Sequence, residues 1–201
     1  MIRVALVEDH PAIAEGLATL IGGEPDIEVA WVAGNTSSAA DLLKDQAVDV
    51  VLCDVMLSGR DAGFDLLAEH GDAARFVMYT AFDFPGHHAR ALEGGAAGFV
   101  SKVAPAEEIV EAIRVAHAGG RSYPPRVLQS ARRAPHRPSA RELELLTQLA
   151  EGASNEELAA RLHLSQKTVE GWIRRMFDRY GCDNRTQLAR FAMRQGWLIA
   201  T

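Results

Sequence analysis

Five times within the first 120 residues a short, apolar, β-branched run is followed by a helical segment, and few folds accommodate that alternation. The runs are IRVALV, IEVAWVA, VDVVLCD, FVMYT and GFVSK. Helical segments are expected near 11–21, 36–44, 62–70, 85–93 and 105–118, each opening at a turn-prone or proline position. Strand then helix, repeated, predicts a parallel sheet covered by helices on both faces. The runs are apolar almost throughout and do not alternate, as strands buried on both sides require. The expected fold class over residues 1–120 is α/β, a doubly wound five-stranded parallel sheet.

Residues 121–138 read as a linker, because the stretch is rich in proline and arginine and shows no clear amphipathic period. Residues 139–201 read as a small all-α domain of four helices. Ser139 and Glu142 form a capping box before a stripe of Leu143, Leu146 and Leu149. Ser154 and Glu157 form a second box, opening a helix to about Leu162. Ser165 then caps a third helix, Gln166 to about Tyr180, after a very short turn, and two helices joined that tightly suggest helix-turn-helix. A fourth helix, Thr186 to about Trp197, has Leu188, Phe191, Ala192 and Met193 on more than one face.

The two parts carry opposite charge. The net charge is −6, but residues 1–120 hold −12 and residues 121–201 hold +6. A basic C-terminal part suits a polyanion, whereas an acidic N-terminal part is repelled by one and suits hard cations. No apolar run approaches the roughly 20 residues that span a bilayer. The opening MIRVALVEDH has no secretory-signal pattern, and Cys53 and Cys182 lack CxxC spacing. A cytoplasmic protein that does not enter the membrane is therefore expected.

In an open parallel sheet the working groups gather beyond the carboxyl ends of the strands. Those ends carry Glu8 and Asp9, Asp54, Thr80 and Lys102, each polar after an apolar run. Three carboxylates at one edge repel one another and invite a divalent cation, and oxygen ligands favour magnesium over zinc. Asp54 can attack phosphorus as a carboxylate nucleophile. Lys102 can neutralise phosphate oxygens, and the Thr80 hydroxyl can donate to one. Taken singly, each of these residues also has a plain structural reading, and it is their conjunction that points to a site.

VEDHPAIAEGL, VVLCDVM, YTA and GAAGFVSK resemble the signature segments of response-regulator receiver domains. The resemblance implies a flavodoxin-like strand order, Mg2+ held by Glu8, Asp9, Asp54 and the Met56 carbonyl, and phosphate passed from a sensor histidine kinase to Asp54. It also implies phosphoryl contacts from Thr80 and Lys102. Phe99 stands where the family has an aromatic whose rotamer follows phosphorylation, a core-packing Phe being the alternative. The chain departs from the family pattern at Ser58, where proline is usual, and at Asp61 and Ala62, where an Asp-Gly pair is usual. Gly63, next to the usual position, is expected to supply the flexible backbone instead, since glycine tolerates positive φ at little cost. His10, His87 and His88 are not expected to bind metal.

In the third helix Val169, Trp172, Ile173, Met176, Phe177 and Tyr180 recur at helical spacing as a buried face. The opposite face presents Lys167, Glu170, Gly171, Arg174 and Arg175, and such a helix can lie in the major groove. Arginine can pair with guanine and Glu170 with cytosine, while Ser154, Lys167, Thr168 and Arg185 contact phosphates. Residues 139–197 resemble the LuxR-type DNA-binding domain, so the whole resembles the NarL/FixJ class of regulators. That resemblance implies dimerisation through the last helix, by Leu188, Phe191 and Ala192, on double-stranded promoter DNA, although an internal packing role is also open to them. Gly171 and Trp172 are unusual in a recognition helix.

The expected function is a phosphorylation-controlled, DNA-binding transcription factor and not an enzyme. Two other readings stand beside it: a signalling adaptor whose receiver docks proteins, and a regulator that ignores phosphate.

Overall fold

The computed structural model describes residues 1–198. The chain separates into two compact units, Met1–Asp83 with His87–Arg132, and Phe84–Gly86 with the residues from Arg133 onward.

Residues 1–133 form β1 (Ile2–Val7), α1 (Pro11–Gly22), β2 (Ile27–Ala33), α2 (Thr36–Asp45), β3 (Val50–Asp54), α3 (Gly63–His70), β4 (Arg75–Thr80), α4 (Pro85–Glu93), β5 (Gly98–Ser101), α5 (Ala106–His117) and α6 (Pro125–Arg133), nearly all of them in the first unit. All strand pairs are parallel, in the order β2-β1-β3-β4-β5. Leu17 and Ile21 of α1 pack with Ile109, Ile113 and Ala116 of α5 on one face of the sheet. Ala39 and Leu43 of α2, Phe64 and Leu67 of α3 and Ala91 of α4 cover the other. Central positions such as Val4, Val51, Cys53 and Val77 are fully buried, which is why these strands read as unbroken apolar runs. The direction of winding reverses beside β1, so the crevice between the carboxyl ends of β1 and β3 is the natural place for a site.

The segment read as a linker holds a sheet contact and a helix, α6, that runs to Arg133. Ser122 extends the sheet beyond β5: its N–H donates to Ala97 O at 2.8 Å, and its carbonyl accepts from Phe99 N at 3.0 Å. The Tyr123 hydroxyl lies 2.7 Å from Ala96 O and 3.3 Å from Ala91 O. Pro125 then occupies the first turn of α6, where a missing N–H costs nothing. A single residue, Val127, carries the burial of this helix, so arginine and proline mask its periodicity in the sequence.

The second unit holds four helices among the described residues: α7 (Ala140–Ala150), α8 (Asn155–Arg161), α9 (Gln166–Tyr180) and α10 (Arg185–Arg194). Both capping boxes form, at Ser139 with Glu142 and at Ser154 with Glu157. Ser165 accepts from Thr168 N, and Asn184 caps α10. Gly181 closes α9 in the left-handed region, φ 63°, which glycine adopts without a Cβ penalty. The core joins Leu145, Leu146, Leu158, Val169, Met176 and Leu188. Tyr180 stacks on Phe191 at 5.4 Å and meets Trp197 at 5.0 Å.

Candidate functional site

The strand ends converge as the sequence predicts. Glu8, Asp54 and Thr80 are buried, with exposures of 3%, 2% and 1%. Lys102 follows β5, its main-chain N–H donating to Thr80 O at 2.8 Å. Its Nζ donates to Asp54 Oδ2 at 2.8 Å and also to Glu8 Oε2. Asp54 Oδ1 accepts from Met56 N at 3.0 Å. Glu8, Asp9, His10 and Asp54 each offer a ligand atom, all within 4.8 Å of one another.

Burial pushes the Asp54 carboxyl above the ordinary carboxylate range, outweighing the Lys102 and Met56 hydrogen bonds that favour its charge. For Lys102 burial opposes the charged form, but the bonds to Asp54 and Glu8 prevail and hold the ammonium above its usual value. Cys53, one residue before Asp54, is wholly buried and its thiol is pushed far up, so it offers no competing nucleophile. The donor set is oxygen-rich, and Asp9 Oδ1 is buried without a hydrogen bond among the described residues. This arrangement fits a hard divalent cation. Thr80 Oγ1 accepts from Phe82 N at 3.1 Å.

Phe99 is buried, meeting the His88 ring edge-on at 4.9 Å. His88 Nε2 lies 2.6 Å from Asp83 Oδ1, and Asp83 pairs with Arg126 of α6. Sequence reading weighed both α4 histidines only as metal ligands; their burial follows from the turn of α4 onto Phe64 and Phe99. Burial pushes His87 down to about 4, against the raising influence of Asp61. The unfolded chain takes that proton near 6.5, so the contribution is complete above that pH and is lost as pH falls toward 4. Urea unfolding of wild type and His87→Leu at pH 7 and pH 4.5 should show wild type losing about 2 kcal/mol more than the variant.

Gly63 has a different role from the one expected. Positive φ falls on Ser58 and Gly59, not on Gly63. A Cβ at Gly63 would sit 2.0 Å from Asp54 O, so glycine is required by the close approach of α3 to the acceptor strand. The variant loop is also tied outward: Asp61 pairs with Arg90 of α4, whose guanidinium lies 4.4 Å from the centre of the Phe64 ring.

On α9, Val169, Ile173, Met176 and Tyr180 are buried, whereas Lys167, Glu170, Arg174 and Arg175 are exposed on the other side. A Cβ at Gly171 would meet only Arg175 Nη1, at 3.7 Å, so packing within the unit does not demand glycine there. Ser154 and Thr168 are engaged in helix caps. Arg185 is half-buried and donates to Ala153 O at 2.7 Å, an internal tie that the sequence does not announce. Leu188 and Ala192 lie at 0% exposure inside the core, so the dimer contact expected of them is corrected: their side chains are unavailable to a second copy. Phe191 is half-buried against Tyr180 and Trp197.

A sheet with a buried acceptor carboxylate at its winding reversal, joined to a helix-turn-helix unit, defines a signalling receiver coupled to a nucleic-acid-binding module. Comparison with known proteins agrees. The family model described as response regulator receiver domain matches residues 4–114, and that of bacterial regulatory proteins, luxR family, matches residues 139–192. The chain is 34% identical to the transcriptional regulatory protein UhpA of Escherichia coli (strain K12), over 98% of this chain and 100% of that one. It is 31% identical to the nitrate/nitrite response regulator protein NarP of the same strain, covering 91% and 90%. Among solved structures it is similar to the response regulator ChrA of a heme-sensing two-component system, with 31% identity, TM-score 0.58 and 98% of both chains covered. A structure of the RcsB–DNA complex, 19% identical with TM-score 0.66 over 96% of this chain and 98% of that one, shares the fold. The chain belongs to the response regulators that join a receiver domain to a LuxR-type DNA-binding domain.

Proposed function

We propose that Asp54 accepts a phosphoryl group from a sensor histidine kinase and that its phosphorylation governs the binding of double-stranded promoter DNA through α9. The observation that carries this reading is the buried Asp54 carboxylate, held between Lys102 and the Glu8–Asp9 pair at the end of β3. One Asp54 oxygen forms the bond to phosphorus while the bond from phosphorus to the donor's imidazole nitrogen breaks, and that nitrogen keeps the electron pair. Glu8, Asp9, Asp54 and the Met56 carbonyl would hold magnesium, whose charge would offset that of the phosphoryl oxygens. Lys102 and the Thr80 hydroxyl take up those oxygens once the group is attached. The attached phosphoryl group carries nearly two negative charges where the carboxylate carried one, and it draws Thr80 and Lys102 toward it; the inward-packed Phe99 and its His88 partner follow.

Lys167, Thr168, Ser154 and Arg185 set register on phosphates, and Glu170, Arg174 and Arg175 read base edges. The protein works as a homodimer on DNA, with Phe191 the member of the expected apolar set not sealed in the core. A DNA target places it in the cytoplasm; no described helix is long and apolar enough to cross a membrane. The chain acts as phospho-acceptor and not as a catalyst of turnover. Treatment with a small phosphodonor and Mg2+ should add one phosphoryl group to wild type and none to Asp54→Asn, read by intact mass. Only the phosphorylated wild type should gain promoter retention; equal uptake by the variant would overturn the reading.

A further inference from the structure

We propose that the main-chain N–H of Ser58 is a positioning group for the divalent cation, holding one oxygen of Asp9 so that the other is presented to Glu8 and Asp54. The inference rests on the reading that these three carboxylates form the cation site. Lys102 bridges Glu8 and Asp54. Asp9 is held from the other side, its Oδ2 accepting from Ser58 N at 2.6 Å. With Oδ2 engaged, Oδ1 turns inward: it is buried, and its one near polar neighbour among the described residues, His10 Nδ1 at 2.9 Å, is shared with Glu8 Oε1 at 3.0 Å. A carboxylate at the rim of a cluster of like charges would otherwise swing toward solvent, where its repulsion is screened.

The donor exists because of an unusual turn. Ser58 has φ 53° and Gly59 φ 71°, closing Leu57 onto Arg60 by hydrogen bonds of 2.8 Å and 3.2 Å. The Asp61–Arg90 pair anchors the end of the turn to α4. Proline, usual at this position in the resembled family, has no N–H and holds φ near −65°, so it could neither make the turn nor donate to Asp9. The departure at Ser58 is thus a gain of an outer partner for a metal ligand, a kind of contact worth roughly 10- to 100-fold in metal affinity elsewhere.

Mn2+ affinity of the full chain, read from the paramagnetic resonance signal of the free ion, tests this. Ser58→Ala keeps the N–H and should bind as wild type does. An ester in place of the Leu57–Ser58 peptide bond removes the N–H with little change of shape, although it also weakens the Leu57 carbonyl as acceptor for Arg60 N, and should weaken binding by about tenfold. Ser58→Pro should weaken it at least as much. Wild-type affinity in the ester chain, or an equal loss in Ser58→Ala, overturns the proposal. The parent reading fails separately, if Asp9→Asn and Asp54→Asn bind Mn2+ as tightly as wild type.

Discussion

A Lys102→Met chain is expected to lose about 3–5 kcal/mol of stability at neutral pH, because removing one partner of a buried ion pair strands the others. Two carboxylates depend on this ammonium, Glu8 and Asp54, and both are almost wholly buried. The dependence on pH separates this cause from lost packing. Burial already raises Asp54 above its unfolded value of 3.8, so the native state binds more protons than the unfolded one in that window. Ionisation of Asp54 therefore lowers stability as pH rises through its native pKa, and loss of Lys102 enlarges the effect. The deficit of Lys102→Met should shrink as pH falls through the carboxylate range. Wild type should keep the Lys102 contribution until pH rises above the ordinary lysine value of 10.5, since the native ammonium is held above it. Denaturant titrations from pH 4 to 9 measure this; a deficit independent of pH would assign the loss to packing. Added magnesium should recover part of it by taking over the role of the missing cation.

The double variant Arg174→Ala/Arg175→Ala should retain its fold and lose DNA affinity by about 1–3 kcal/mol for each arginine that reaches a base edge. Both side chains are exposed on the face of α9 opposite Ile173 and Met176, so the core is untouched. Fluorescence anisotropy with promoter DNA at several salt concentrations reads the loss and its origin. An arginine on phosphate lowers the salt slope by about one, whereas one on guanine relaxes specificity at a single position. Unchanged affinity would favour the adaptor reading, in which the helical unit only assembles proteins.

Much of the site was legible because it lies where chemistry meets periodicity. Glu8, Asp54, Thr80 and Lys102 each follow an apolar run, so their convergence follows from the sheet alone. The helix caps were equally plain, since a capping box is a contact between residues three apart. Other features were not legible. Leu188 and Ala192 share a helix with Phe191, and periodicity could not say which of the apolar side chains the core would take. The bond from Arg185 to the carbonyl of Ala153, some 32 residues earlier, was likewise invisible in the sequence, where Arg185 read only as a phosphate ligand. Ser122 reads as loop because its partners are the main-chain groups of Ala97 and Phe99.

By itself, then, the order of residues determined the doubly wound sheet, the helix-turn-helix and the set of strand-end groups, since burial periodicity and local capping act over a few residues. Only the tertiary structure decided that Gly63 is demanded by the Asp54 carbonyl, that Ser58 adopts a left-handed turn and faces Asp9, and that the stretch after α5 seals the sheet edge. Those outcomes depend on distances between segments remote in sequence, and such distances are set only when the whole core closes.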